Sequence, residues 1–486
     1  MVLSKVEVLS ATAWLRSLAY MPNVAVAYAY CLSRYASVIR LFLLIALFLS
    51  ASLAARAETP SYDGTDVAGL ERVLRIHADP SKWRGRNAWR QQAQGRIQRY
   101  RKNQVQLIIR DASGAPVVGA VVDAKLIRHQ FTFGTVFGVQ QFAKVKDVLP
   151  YFGSKIGFEN ALKYKHKDSK AKYLPSVIAW AKERGIGVRG HTLVWPGWRF
   201  MHKDSRVFQE GDDAEGLRNF VDRQIIEAAK KWDVTEWDVL NEPLDNQELQ
   251  AVLGQQSMAQ WFKLADEYRR NKDTPLLINE NRIISAGPKQ EARIARYVDM
   301  IANIIARGGP IEGVGVQARF RTDSISPYEV YQRLERLAVL DLPIVATEFE
   351  IVDTRPNFSP SDLQRAKMTE AYMTILFSHP KVTGINAWTL LNKLTKVSRH
   401  GDRPAKTPDD RGLLNWDMTL PLNGKVWLHL IHQRWHSHIN QVSDDAGVII
   451  LSGFKGTYEV AVTTSRGTVK RGVFLGDGPR QIELEI

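Results

Sequence analysis

From residue 129 onward, short apolar runs alternate with longer stretches whose apolar positions recur at helical spacing. The runs are QFTFGTVFG (130–138), KIGFEN (155–160), IGVRGHTLVW (186–195), EWDVLNE (236–242), PLLINE (275–280), GVGVQAR (313–319), PIVATEFE (343–350) and GINAWTL (384–390). Helix-like segments lie between them, among them KYLPSVIAWAKERG (172–185), LRNFVDRQIIEAAKKW (217–232) and QEARIARYVDMIANIIARG (290–308). A strand that is apolar along its whole length needs cover on both faces, which means a parallel sheet packed between helices. Eight such units within about 300 residues predict an α/β fold, a closed (β/α)8 TIM barrel over residues 129–440, rather than an open sheet.

The flanks have a different rhythm. QVQLIIRDASGAPVVGAVVDAKLI (104–127) alternates apolar and polar residues around a D-A-S-G-A-P turn, which predicts a β-hairpin over 104–128. Residues 441–486 repeat the alternation with glycine punctuation and predict a second small β-rich segment. Residues 58–103 read as a polar, helical lead-in, with RGRNAWRQQAQGRIQRYRK (84–102) a solvated helix.

Residues 1–57 do not read as part of the fold. Arg40, the apolar stretch Leu41–Leu49 and Ala55-Arg56-Ala57 form the charge, apolar core and A-x-A order of a secretory signal, with cleavage expected after Ala57. The long region before it leaves two alternatives: a start at Met21, or an uncleaved membrane anchor. Cys31, the one cysteine, lies in this segment, so the processed chain would carry no thiol chemistry. Secretion to the periplasm or outside the cell is the expectation. The net charge of +15 raises nucleic acid as a partner, but no nucleic-acid motif or dense basic run supports it. A monomer is expected, with membrane contact only if the N-terminal segment persists.

In a barrel of this kind the C-terminal strand ends form the working face. Here they are polar: Glu159, Asn160 and Lys163 after strand two; Arg189, His191 and Trp195 on strand three; Asn241 and Glu242 on four; Asn279 and Glu280 on five; Gln317 and Arg319 on six; Glu348 and Glu350 on seven; Trp388 on eight. A single polar strand end is most simply a helix cap or a solvated loop. So many ionisable groups on one rim require a wet or ligand-filled cleft. Glu242 and Glu348 end strands four and seven, on opposing walls of the barrel. Two facing carboxyls suit glycoside hydrolysis, one protonating the leaving oxygen while the other supports or attacks the anomeric centre. Trp195, Trp198, Trp388 and Trp416 offer flat faces for sugar rings, although for any one of them taken alone core packing is the simpler reading.

GHTLVW (190–195), WDVLNEP (237–243), GVQARF (315–320), ATEFEI (346–351), GINAWTL (384–390) and FENALKY (158–164) resemble, in order and spacing, the motifs of glycoside hydrolase family 10, the retaining endo-β-1,4-xylanases. The resemblance covers about residues 129 to 436. It implies Glu242 as general acid/base and Glu348 as nucleophile. It also implies Asn241 at the 2-hydroxyl of the cleaved sugar, and Glu159, Asn160, Lys163, His191 and Trp195 along the non-reducing side, with Gln317 and Trp388 nearby. No metal or cofactor is implied; the expected partner is a polysaccharide, xylan or a related β-glycan. The β-rich flanks resemble the accessory segments of some members.

The sequence departs from that family at Pro196 (usually His), Arg319 (usually His), Glu350 (usually Asp), Thr389 (usually Gly) and Asn392 (usually Asp). Arg319 beside Glu348 would hold that carboxyl ionised and weaken it as a nucleophile. Alternatively Arg319 and Glu350 pair with each other as an exchanged His–Asp pair, which is the favoured expectation. Three readings follow: a secreted xylanase, the same mechanism on another β-glycan or glycoside, and a carbohydrate-binding barrel without turnover. The presence of both glutamates argues against the third.

Overall fold

The helix Trp89–Arg101 leads directly into strand β1 (Lys102–Arg110), and β2 (Val121–His129) follows. Next come β3 (Thr132–Phe137), β4 (Lys155–Phe158), β5 (Gly187–Val194), β6 (Glu236–Asn241), β7 (Leu276–Glu280), β8 (Gly313–Val316), the short β9 (Arg319–Phe320), β10 (Ile344–Ile351) and β11 (Val382–Trp388). The chain ends in β12 (His438–Val442), β13 (Val448–Phe454), β14 (Gly456–Thr464), β15 (Gly467–Leu475) and β16 (Gln481–Glu485). This computed structural model describes Leu70 and residues 88–211, 213–287, 291–321, 325–352, 361–392, 411–478 and 480–486. The signal-like segment 1–57 with Cys31, and the lead-in before Ala88 apart from Leu70, lie outside the described residues.

The eight apolar runs are the eight barrel strands. They pair in parallel in the order β3-β4-β5-β6-β7-β8-β10-β11, and β11 pairs again with β3, which closes the ring. Every residue of β6 and β10 is buried, as a strand packed on both faces requires. Helices 174–183, 214–231, 257–268, 291–306, 327–338 and 362–378 alternate with the strands. Ser326 begins one of them with a reciprocal cap, its hydroxyl accepting from Glu329 N–H while the Glu329 carboxylate accepts from Ser326 N–H.

The flanks correct the expectation of a hairpin. β1 and β2 do not pair: β1 lies between β13 and β16, and β2 between β12 and β14, in a second sheet ordered β12-β2-β14-β15. Asp111 closes the intervening turn by accepting from the N–H groups of Ser113 and Ala115, and an isolated bridge joins Arg110 to Pro116. The chain then passes to the other sheet. Alternation states that one face of each strand is buried, a condition met equally by a hairpin and by two sheets face to face. The second solution holds, with Leu107, Ile109, Val122, Ala124, Leu451, Val460, Val462 and Leu475 buried. The two β-rich flanks are therefore one two-sheet module built from both ends of the described chain.

That module sits against the N-terminal ends of the barrel strands. Arg101 donates to the carbonyls of Phe377 and Val382, each at 2.6 Å, and Phe377 stacks on Trp435 with ring centroids 4.2 Å apart. His129, Phe133 and Phe454 extend this aromatic seam. The C-terminal strand ends, at the opposite mouth, stay clear of it.

Candidate active site

Strand β6 delivers Asn241 to the barrel mouth, and the backbone turns sharply at the next residue. Glu242 adopts φ +53°, a left-handed conformation that costs a non-glycine residue about 1 kcal/mol or more. Its N–H donates to the Asn279 carbonyl at 2.8 Å, and its carbonyl accepts from the N–H and side-chain amide of Asn246 at 3.1 and 3.0 Å. These three contacts fix the backbone from which the carboxyl projects. Gln317 Nε2 donates to Glu242 Oε1 at 2.7 Å, leaving Oε2 as the oxygen turned away from that amide.

Across the mouth, β10 delivers Glu348, which is 3% exposed. Its Oε2 accepts from Arg319 Nε at 3.0 Å and from Arg319 Nη2, while its Oε1 has only the Asn279 amide at 3.5 Å. Burial pushes the carboxyl upward, but the charges of Arg319, His191 and Lys163 outweigh it, and Glu348 is held below the usual carboxylate range.

One residue bridges the two walls. The Asn279 carbonyl takes the Glu242 N–H, and its amide donates to Asn241 Oδ1 at 2.9 Å and reaches Glu348. Thr347 Oγ1 donates to Asn279 Oδ1 at 2.7 Å and fixes which way that amide faces. The Asn241 Nδ2 then has no partner among the described residues, and neither does Trp195 Nε1. Buried donors of this kind are normally satisfied, so both suit a polar ligand.

Lys163 lies close enough to both carboxylates for their charges to act on it. Its ammonium donates to Asn160 Oδ1 at 3.2 Å and lies 4.8 and 5.8 Å from the Trp195 and Trp388 ring centroids. Burial lowers it to about 8 against the pull of Glu348, Glu159 and Glu242. Trp195 stacks on Phe200 at 3.5 Å, and His191 meets the Trp388 ring edge-on at 5.8 Å. His191 Nδ1 is 2.7 Å from Asp238 Oδ2, which leaves Nε2 as its ligand-side edge.

Arg319 makes both of the pairs the sequence had presented as alternatives. Its Nη1 donates to Glu350 Oε1 at 2.7 Å while the rest of the guanidinium holds Glu348. Arg411 grips Glu350 from the other side at 3.2 Å. Burial raises the Glu350 carboxyl despite these two cations. Two other departures, at positions 389 and 392, are turned to structural use. Thr389 Oγ1 donates to the Leu391 carbonyl at 2.8 Å, and Asn392 accepts from Gly412 N–H at 2.6 Å. Trp416 is 37% exposed with the Lys144 ammonium 5.3 Å from its ring.

Several contributing residues were given no individual role from the sequence. Glu280, beside Glu242 on the neighbouring strand, accepts from Leu244 N–H and from Arg293, each at 2.8 Å, so it anchors the turn that follows Glu242. Burial lifts its carboxyl to about 7, and the charge of Glu242 adds to the effect. Its position at a polar strand end was the available signal. Deeper in the barrel, Glu236 binds Lys155 and Arg189, and Arg189 reaches on to Asp238. Among the described residues no group of three or more His, Cys, Asp or Glu is arranged to hold a metal, and no helix is long and apolar enough to cross a membrane.

The family model for glycosyl hydrolase family 10 matches residues 124–408, more than half of the chain. The anti-sigma-I factor RsgI6 of Acetivibrio thermocellus is 28% identical over 77% of this chain and 47% of its own length. Endo-1,4-beta-xylanase 1 of Arabidopsis thaliana is 25% identical over 79% of this chain and 39% of its own. The chain thus spans less than half the length of either relative. Among solved structures, xylanase 10B of Thermotoga petrophila RKU-1 in complex with xylobiose superposes with a TM-score of 0.52 at 19% identity, covering 63% of this chain and 95% of that one. That likeness concerns the fold.

Proposed function

Because the chain belongs to glycosyl hydrolase family 10, we propose that it hydrolyses β-1,4-xylosidic bonds in xylan with retention of anomeric configuration. The observation that carries this reading is the asymmetry of the two glutamates. Glu348 is buried and kept ionised by Arg319, as a nucleophile must be, while half-buried Glu242 has an amide on one oxygen only. In the first step Glu348 Oε1 bonds to the anomeric carbon as Glu242 passes its proton to the departing oxygen. In the second, Glu242 takes a proton from water, which attacks the same carbon and releases Glu348.

Asn241 Nδ2 is the donor for the sugar 2-hydroxyl, and Lys163, Asn160, Glu159, His191 and Trp195 bind the adjoining sugar, with Gln317 and Trp388 nearby. The xylobiose bound by the Thermotoga petrophila enzyme supports a xylose-based ligand for this site. The signal-like segment 1–57 supports export before action on the polymer. Reducing-sugar release from xylan by the full chain tests the proposal: the unmodified protein releases it and Glu348→Ala does not. Equal rates for the two would overturn it. The arginine at position 319 favours a second reading, in which the same mechanism serves another β-glycan; comparing xylan, arabinoxylan, mixed-linkage glucan and small aryl glycosides separates the two.

A further inference from the structure

The two oxygens of Glu348 have unequal surroundings. Oε2 takes two donors of the Arg319 guanidinium, while Oε1 faces only the Asn279 amide at 3.5 Å. Oε1 therefore keeps the free lone pair and is the attacking atom. The fork cannot swing away to release Oε2. Its third nitrogen is held by Glu350 at 2.7 Å, Glu350 is 2% exposed and also bound by Arg411, and the guanidinium carbon lies 5.1 Å from the Trp388 ring centroid. The cation on Glu348 is thus fixed throughout the reaction rather than recruited during it.

We propose that Arg319 is a positioning residue that decides which half of the double displacement is slow, making glycosylation rate-limiting and keeping the covalent glycosyl-enzyme short-lived. The inference rests on the proposed function and deepens it. In the first step the Oε1–carbon bond forms, the carbon–oxygen bond to the departing sugar breaks, and Glu242 gives its proton to that oxygen. Glu348 passes from a carboxylate to a neutral ester. In the second step water bonds to the carbon, its proton goes to Glu242, and the ester's electron pair returns to Glu348. A fixed guanidinium stabilises the carboxylate more than the ester. The first barrier, measured from the carboxylate, rises. The second, measured from the ester and reached as negative charge returns, falls. A neutral donor at position 319 would act more weakly on both, so the ester would persist.

Stopped-flow release of dinitrophenol and phenol from the corresponding aryl β-xylobiosides tests this on the full chain. The unmodified protein should release aryl alcohol linearly, with kcat rising as the leaving group improves. Arg319→His should give a burst with the dinitrophenyl substrate approaching one equivalent per active enzyme. Its subsequent turnover should be about tenfold slower or more and insensitive to the leaving group. Arg319→Lys, which keeps the charge, should move back toward linear release. A residue that merely held the wall together would lower every rate without creating a burst. A full burst from the unmodified protein overturns the inference by itself, as does a His variant that stays linear and leaving-group dependent. Absence of any release from the unmodified protein strikes the proposed function, and this inference with it.

Discussion

Arg319 Nε lies 3.0 Å from Glu348 Oε2, and the same guanidinium reaches Glu350 at 2.7 Å. A permanent cation therefore sits where the wall of the cleft meets the proposed nucleophile. The consequences extend to pH dependence, to Glu242 on the facing wall and to the charged interior of the barrel.

Glu348 is held below the usual carboxylate range of about 4.3, so it stays ionised as pH falls through that value and loses the charge its proposed role requires only below it. The acid limb of kcat/KM on an aryl β-xylobioside should accordingly lie below that range. In Arg319→Gln the limb should move upward by about one unit or more, because the cation that opposes burial is gone. A limb that does not move would show that Arg319 does not govern Glu348.

Glu280 should position Glu242 from the adjacent strand. Burial raises the Glu280 carboxyl to about 7, with the charge of Glu242 adding to the effect. Glu280 also accepts from Leu244 N–H and from Arg293, and so anchors the turn that carries Glu242. Glu280→Gln keeps an acceptor for Leu244 but loses the ion pair with Arg293, so kcat on an aryl β-xylobioside should fall about tenfold while KM changes little. An unchanged kcat would show that the turn holds without Glu280.

Glu236 should matter for stability rather than chemistry. It is buried against Lys155 and Arg189; burial alone would raise it, but the two cations bring it from the usual 4.5 to about 2. A depressed folded-state value contributes stability that is present above the unfolded value and lost as pH falls from about 4.5 toward 2. Glu236→Gln leaves two buried cations under-compensated and should cost about 3–5 kcal/mol, read as a lower Tm at neutral pH.

Strand periodicity made the barrel legible because a strand covered on both faces has a continuous apolar signature, and the eight runs coincide with the eight strands to within a few residues. The partners of β1 and β2 were not legible, since alternation reports a buried face and not the identity of what covers it. The rim residues Glu242, Glu348, Gln317 and Lys163 could be named because strand ends converge on one mouth. Arg411 could not, because nothing local marks a residue 61 positions from the carboxylate it binds. The dual role of Arg319 was hidden for another reason: the sequence offered Glu348 and Glu350 as rival partners, and only the geometry of a forked guanidinium allows both.

The central claim is that Glu242 and Glu348 act on one anomeric carbon from opposite sides, through a bond to Glu348. The proton NMR spectrum of the first product released from xylan reads this directly, before mutarotation mixes the anomers. The β-anomer should appear first. Initial appearance of the α-anomer would mean direct attack by water and would contradict a covalent role for Glu348.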